Sequence, residues 1–268
     1  MKIARYLDKD GEVGFCEWRG SGLPPLKIVG NFGNFEVTGD IAEVEHLLSP
    51  IDPRAIYGVG LNYRAHAEET GKSVPKIPLI FMKAPSAVQN PGKPILIPRG
   101  LRSDKVDYEG ELAVVIGRAA KNVNKSEALN YVLGYTAAND VSARDWQFEW
   151  GNGQFCRGKT FDTFCPLGPC LVTTDEITDP SDLRLKTCLN GEAVQETSTR
   201  DMIFDIPSII SFLSGSTTLV PGTVILTGTP SGVGAGKEPP RYLKPGDEVE
   251  IEIEGIGSLS NPIEYETL

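Results

Sequence analysis

The stretch "DYEGELAVVIG", residues 107–117, is the most informative part of the chain for the fold, because it joins closely spaced acids to a buried strand. Asp107, Glu109 and Glu111 alternate, and a β-strand turns every second side chain to the same face. The apolar run that follows, residues 112–116, is typical of a buried strand. Like charges this close repel unless a positive group lies between them. The pattern indicates either a solvated strand end or a divalent-cation site, and Asp107 is the acid best suited to simple solvation.

Composition narrows the class of protein. The chain has 268 residues, of which 40% are hydrophobic, enough for one large domain or for a small one and a larger one. The net charge of −10 argues against nucleic acid or an anionic membrane as a partner. Five cysteines without C-x-x-C spacing predict neither a zinc site nor a disulfide framework. Because we find no targeting signal and no apolar span, we expect a cytoplasmic protein.

Short strands and turns dominate the chain. Asn190-Gly191 predicts the turn of a β-hairpin, and Asp205 is expected to cap a helix in "DIPSIISFLSG". The regular strand–helix alternation of a doubly wound sheet is missing, so the pattern predicts an α+β, mostly β fold. Pro50 and Pro53 indicate a boundary between a small N-terminal β-rich segment, residues 1–52, and a catalytic domain, residues 53–268. The N-terminal segment is expected to pack on the rest and to end in a short helix in "AEVEHLLSP".

A third acid completes the candidate metal site. Asn124 and Glu127 resemble a capping box for a helix over residues 124–133, and "YTAAND" then predicts a strand ending at Asp140. Carboxylates without nearby His or Cys suit Mg²⁺, Mn²⁺ or Ca²⁺ rather than zinc. We therefore predict that Glu109, Glu111 and Asp140 are metal ligands, with room left for water and substrate.

The chain has two histidines, and only one has a catalytic context. In "NYRAHAEETG", Asn62 is a plausible N-cap, and His66 and Glu69 share a helix face at i and i+3. Such a pair can act as a general base, although a surface histidine beside a helical neighbour fits the same pattern. His46 lacks this context and is interpreted as structural.

Other polar residues follow predicted strands or turns. Lys83 ends an apolar strand, and Lys159 lies in "RGKTFDTF"; either can bind a carboxylate or a developing oxyanion, or can simply be solvated. Gln147 lies in "SARDWQ", just past Asp140. "LTGTPSGVG" offers Thr229 and backbone N–H groups that could cradle a substrate carboxylate.

Several long motifs together resemble the fumarylacetoacetate hydrolase family, in its order, over roughly residues 54 to 264. They are "YGVGLNYRAHAEE", "DYEGELAVVIG", "GYTAANDVSARDWQ", "RGKTFDTFCPLGP", "NGEAVQETSTRDMIF", "VILTGTPSGVG" and "LKPGDEVEIEIEGIG". The resemblance implies a mixed β-roll, a homodimer and Mg²⁺ or Mn²⁺ in the pocket. It also implies roles for the matching positions: metal ligands Glu109, Glu111 and Asp140, a water-activating pair His66 and Glu69, polarising lysines Lys83 and Lys159, and substrate contacts Gln147 and Thr229.

The short N-terminal segment resembles that of the shorter family members. We therefore expect a small anionic 2-oxo acid as substrate, and first a metal-dependent hydrolase that cleaves a C–C bond in acylpyruvate-type compounds. The alternative is a decarboxylase, tautomerase or isomerase of related 2-oxo diacids, because all of these reactions share an enolate. A non-catalytic binding protein and a calcium-stabilised structural β-protein are further alternatives. The polar segment 70–78 is a candidate lid over the pocket.

Overall fold

The structure, a computed structural model, describes residues 1–19 and 23–268 and consists mainly of strands. In chain order the strands are β1 Lys2–Leu7, β2 Val13–Glu17, β3 Leu26–Asn31, β4 Asn34–Ile41, β5 His46–Leu48, β6 Ala55–Gly60, β7 Leu79–Lys83, β8 Val88–Gln89, β9 Ile95–Ile97, β10 Val106–Asp107, β11 Gly110–Ile116, β12 Val132–Asn139, β13 Ser142–Ala143, β14 Cys165–Thr173, β15 Arg184–Leu189, β16 Glu192–Ser198, β17 Thr223–Leu226, β18 Glu248–Ile253 and β19 Gly257–Tyr265. The α-helices are α1 Arg64–Glu69, α2 Phe155–Lys159 and α3 Ile206–Ser214. Short 3-10 helices span Pro85–Ala87, Lys125–Tyr131, Pro180–Asp182, Thr199–Asp201 and Gly234–Gly236, and a π-helix spans Asp145–Glu149.

The strands form two larger sheets of mixed direction. The first has the order β4-β3-β2-β1-β14-β12-β11-β17-β6-β7, and the second has the order β16-β15-β18-β19-β9. Most neighbours are antiparallel, whereas β17 with β6 and β19 with β9 are parallel. This arrangement confirms the predicted α+β, mostly β class.

Strand β11 lies at the centre of the first sheet, between β12 and β17. Every residue of β11 is buried. The second sheet packs over one face of β11 through β15 and β18. Ala113 and Val115, on the other face, belong to a second buried hydrophobic cluster, so both faces are covered. A strand covered on both faces is apolar throughout, which explains the unbroken run in residues 112–116.

The N-terminal strands extend the first sheet. Strand β1 pairs with β14, with Lys2 opposite Val172. Ala4 and Tyr6 of β1 belong to the same core as Leu112 of β11. The prediction of a short helix before Pro50 is wrong, because His46–Leu48 forms β5 and pairs with β1. A helix of so few residues is marginally stable by itself, whereas the strand gains hydrogen bonds from its neighbour.

Some other local predictions hold and others fail. Asn190 and Gly191 both have positive φ and close the β15–β16 hairpin, as expected from the Asn-Gly turn. Asp205 caps α3 by accepting from the Ser208 N–H at 2.9 Å. The helix expected over residues 124–133 is instead the 3-10 helix Lys125–Tyr131, and the Asn124 side chain does not cap it.

Within the described ranges, no helix is long and apolar enough to cross a membrane.

Candidate functional site

Three buried carboxylates meet where β11 begins and β12 ends. Glu109 precedes β11, Glu111 is its second residue, and Asp140 directly follows β12. The antiparallel register sets Gly110 opposite Asn139, and the Asp140 N–H donates to the Glu109 carbonyl at 2.9 Å. One oxygen from each of the three carboxylates lies within 4.8 Å of the others. The strand pairing thus brings together acids that are far apart in sequence.

Asp107 does not behave as predicted. It lies in β10, and the strand is interrupted before β11, so the acids do not form one continuous strand face. Its side chain is fully buried rather than solvated. The carboxylate accepts from the N–H groups of Gly234 at 2.7 Å and Ala235 at 3.0 Å, and from Nε of Arg144 at 2.9 Å. These donors stabilise a charge that would otherwise be costly to bury.

Two buried lysines face the acids. Lys83, the last residue of β7, places Nζ 2.6 Å from Asp140 and 3.1 Å from the Val141 carbonyl. Lys159, the last residue of α2, donates to Asp140 at 2.6 Å and to Glu109 at 2.7 Å. Burial opposes the charged form of Lys159, but Asp140 and Glu109 outweigh it and raise the pKa of its ammonium group.

The cations are distributed unevenly among the three acids. Burial disfavours ionised Glu109, but Lys159 and Arg144 outweigh it and lower its pKa. Arg144 places Nη2 2.7 Å from Glu109. Glu111 accepts from the Gly228 N–H at 2.6 Å, and no ion pair to it is found in the part of the chain that the structure describes. Burial, then Asp140 and Glu109, raise the Glu111 pKa.

The donor set fits a hard divalent cation. All three candidate ligands offer carboxylate oxygen, which Mg²⁺ and Mn²⁺ prefer. A cation placed among them would relieve the repulsion that raises the Glu111 pKa. The geometry does not distinguish one hard cation from another.

Helix α1 carries His66 and Glu69, the two residues that are predicted to act together as a general base. Nδ1 of His66 lies 3.0 Å from Oε2 of Glu69, and the other Glu69 oxygen accepts from the Gly232 N–H at 2.9 Å. This contact assigns the proton of the neutral imidazole to Nδ1. Nε2 is therefore the ring nitrogen that can accept a proton from a substrate. Asn62 does not cap the helix; its amide group donates to the carbonyls of Phe204 and Thr227.

One small cavity, of about 110 Å³, connects His66 with Glu109 and Glu111. Of the predicted residues, Glu69, Lys83 and Asp140 do not line the cavity. Those that line it are His66, Glu109, Glu111, Gln147, Lys159 and Thr229, with Phe81, Phe148 and Phe155 as apolar walls. A larger cavity of about 540 Å³ lies among the N-terminal strands, beside Ile3 and Phe15, and contains none of the site residues.

The two predicted substrate contacts already have partners in the protein. Oε1 of Gln147 accepts from Arg144 at 2.9 Å. The Thr229 hydroxyl donates to the Gly110 carbonyl at 3.0 Å and accepts from Nε2 of Gln195 at 2.8 Å. The Thr229 hydroxyl proton is therefore occupied, which limits what its side chain can offer a ligand.

The glycine-rich loop (residues 227–236) serves the protein's own acids. Its N–H groups at Gly228, Gly232 and Gly234 donate to Glu111, Glu69 and Asp107, respectively. The sequence predicts that N–H groups of this loop cradle a substrate carboxylate, but these three bind carboxylates of the protein instead. Nothing in the spacing of the glycines identifies which carboxylate each one would meet.

Arg144, Ser142 and Gln195 are further site residues for which sequence reasoning assigned no role. Ser142 Oγ lies 2.7 Å from Lys159 Nζ, and Gln195 accepts from the Gly110 N–H at 3.0 Å. The "EAVQET" alternation places Gln195 on a strand but gives no signal for this contact.

Comparisons with known proteins identify the family to which the chain belongs. The family model described as "Fumarylacetoacetate (FAA) hydrolase C-terminal" matches residues 55–264. The mitochondrial oxaloacetate tautomerase of Xenopus laevis is 49% identical over 218 residues, covering 81% of this chain and 68% of the relative. A fumarylacetoacetate hydrolase domain-containing protein 2 homolog of Dictyostelium discoideum is 45% identical, covering 89% of this chain and 79% of the relative.

Solved structures extend the similarity over the whole chain. The 5-carboxymethyl-2-hydroxymuconate delta-isomerase of Mycobacterium smegmatis has a TM-score of 0.86 at 41% identity, covering 99% of this chain and 100% of that one. The fumarylacetoacetate hydrolase of Exiguobacterium antarcticum has a TM-score of 0.84 at 36% identity, with coverage of 99% and 100%. Three of these four relatives are named as enzymes. The chain therefore belongs to the fumarylacetoacetate hydrolase family.

Proposed function

We propose that this protein is a divalent-metal-dependent tautomerase of a small 2-oxo diacid, with oxaloacetate as the substrate. The observation that carries the proposal is the small cavity lined by His66 together with Glu109 and Glu111, two of the three clustered acids. The sequence alone predicts a C–C hydrolase first and, as the alternative, a decarboxylase, tautomerase or isomerase of related 2-oxo diacids. The names of the relatives, oxaloacetate tautomerase and delta-isomerase, favour the second prediction.

The size of the cavity also favours a small substrate. At about 110 Å³ it is far below the roughly 300–1,000 Å³ typical of pockets for drug-sized ligands. A four-carbon diacid suits this space better than 2-hydroxyhepta-2,4-diene-1,7-dioate, the longer diacid for which a similar isomerase of Mycobacterium marinum is named.

The protein's residues have distinct tasks in this reaction. Glu109, Glu111 and Asp140 would hold the metal ion, which when bound supplies positive charge to the oxygens of a 2-oxo acid. Nε2 of His66 takes a proton from C3 of the keto form and returns it to the C2 oxygen, so no bond between carbon atoms breaks. Glu69 keeps the imidazole oriented and stabilises its charged form. Lys159 positions Glu109 and Asp140 through its ion pairs.

The test follows the enol absorbance of oxaloacetate with Mg²⁺ or Mn²⁺, and separately measures pyruvate and CO₂. We expect faster keto–enol exchange than with metal alone, loss of that gain with EDTA, and no more pyruvate or CO₂ than metal alone releases. Rapid CO₂ release would instead indicate a decarboxylase. Release of pyruvate and acetate from acetylpyruvate would restore the hydrolase hypothesis, and no reaction with either compound would refute the substrate class.

Histidine variants provide a matched control. His66→Ala should lower the turnover number by about 10²–10⁴-fold, the usual contribution of a positioned general base. His46→Ala changes the chain's other histidine, which is exposed on β5, and should behave as the wild type. Equal activity of the two variants would refute the role of His66.

Three further features remain predictions from the sequence: the homodimer, the cytoplasmic location and the lid at residues 70–78. The segment contains no helix or strand and connects α1 to β7, which is compatible with a lid.

A further inference from the structure

We propose that Lys72 determines substrate specificity by binding the distal carboxylate of the diacid. The inference rests on the proposed function in one respect, namely that the substrate carries a second carboxylate. Lys72 lies three residues beyond Glu69, and it lines the same cavity as His66, Glu109 and Glu111.

The main chain of Lys72 is fixed although its side chain is exposed. Its N–H donates to the Ala67 carbonyl at 3.0 Å, which ties it to the end of α1. The same helix carries His66 and Glu69. The position of Lys72 relative to His66 and Glu69 is therefore set by local hydrogen bonding.

An aromatic ring supports the ammonium group at the cavity wall. Nζ of Lys72 lies 5.3 Å from the centroid of the Phe148 ring, within the range of a cation–π contact. Phe148 follows Gln147 in the π-helix and lines the cavity too. The ring removes water from one side of the ammonium group, so an anion on the other side would interact more strongly than on an open surface.

The charges around the cavity make Lys72 the available cation. Arg144 and Lys159 also line it, but Arg144 is paired with Asp107 and Glu109, and Lys159 with Glu109 and Asp140. Lys72 has no such partner: among the residues that the structure describes, no acid forms an ion pair with it within 4.0 Å. An incoming carboxylate can thus pair with Lys72 without displacing an acid of the protein.

A charge-matched pair of substrates tests this role. Oxaloacetate has two carboxylates, and its 4-methyl ester has the same carbon skeleton with only one. Lys72→Met should raise KM for oxaloacetate about 10-fold or more, as expected for a lost charge-assisted hydrogen bond, with kcat changed less than about 2-fold. KM for the ester should stay unchanged, and Lys72→Arg should restore most of the affinity for oxaloacetate.

Lys76→Met is the matched control. Lys76 is exposed in the same segment but does not line the cavity, so the same loss of charge there should change neither KM. A rise in KM for both substrates with Lys72→Met would indicate a structural effect and would overturn the inference. An unchanged KM for oxaloacetate would overturn it as well.

A binding measurement separates this inference from the proposed function. 3,3-Difluoro-oxaloacetate keeps both carboxylates but has no C3 hydrogen, so it cannot tautomerise. We expect calorimetry with Mg²⁺ to show weaker binding to Lys72→Met than to the wild type. If this difference appears while the wild type fails to tautomerise oxaloacetate, the proposed function is wrong and the inference stands. If Lys72→Met changes neither KM for oxaloacetate nor the calorimetric affinity for the difluoro compound, the inference is wrong.

Discussion

Replacement of Asp107 by alanine should strongly destabilise the protein. Asp107 is fully buried and Arg144 is only 6% exposed. Asp107→Ala leaves Arg144 with Glu109 as its only ion-pair partner among the described residues and leaves the N–H groups of Gly234 and Ala235 without their acceptor. Removing one partner of a buried ion pair costs about 3–5 kcal/mol, and we expect a loss of that size in the free energy of unfolding.

The assay is urea denaturation of EDTA-treated protein, so that metal binding does not add to the measured stability. The matched control is Asp104→Ala, which removes the same side chain from the exposed ion pair with Arg102. Solvent screens that pair, so the control should remain close to the wild type. Asp107→Asn should be intermediate, because its amide oxygen can still accept from the loop while the charge is lost.

The reasoning would be refuted if Asp107→Ala destabilised the protein no more than Asp104→Ala. That outcome would mean that the contacts of Asp107 are not made in solution. The simple solvation predicted from the sequence would then be the better description of this acid.

Two further predictions concern the same site. Glu111→Gln should weaken Mn²⁺ binding, followed by electron paramagnetic resonance, by more than the roughly 10–100-fold typical of a residue that only positions a ligand; an unchanged affinity would remove Glu111 from the ligand set. Gly228→Ala should destabilise far more than Gly246→Ala: both glycines have positive φ, but a Cβ at Gly228 would lie 2.6 Å from Cβ of Asn62, whereas at Gly246 it meets nothing within 4 Å. Gly246→Ala should therefore show only backbone strain of about 1–2 kcal/mol, and equal losses for the two variants would contradict the packing argument.

Residues close in sequence account for most of what could be predicted. The i, i+3 spacing of His66 and Glu69 places them on one helix face, and their 3.0 Å contact follows from that geometry. The Asn-Gly turn and the Asp205 cap depend on a few neighbouring residues and are also present. The failures also have local causes: the 3-10 helix after Asn124 and the strand β5 occur where competing local structures differ little in energy.

The environment of each acid depended on distant parts of the chain. Glu109 and Glu111 were recognised as candidate ligands by their alternation, but the same alternation misplaced Asp107. The Gly234 N–H that binds Asp107 is 127 residues away in sequence, and the Gly228 N–H that binds Glu111 is 117 residues away. Side-chain periodicity describes neighbouring residues and does not predict contacts at these separations.

The amino-acid sequence was enough to infer the strand-rich class, the buried β11, the acidic cluster and the pairing of His66 with Glu69, because side-chain periodicity and residue chemistry are local properties. Three other features became visible in the folded chain alone: which acids are paired with cations, the binding of the glycine-rich loop to the protein's own carboxylates, and the cavity that Lys72 shares with His66. These features depend on burial and on contacts between strands far apart in the chain, since a charge is stabilised or destabilised by whatever the fold places beside it.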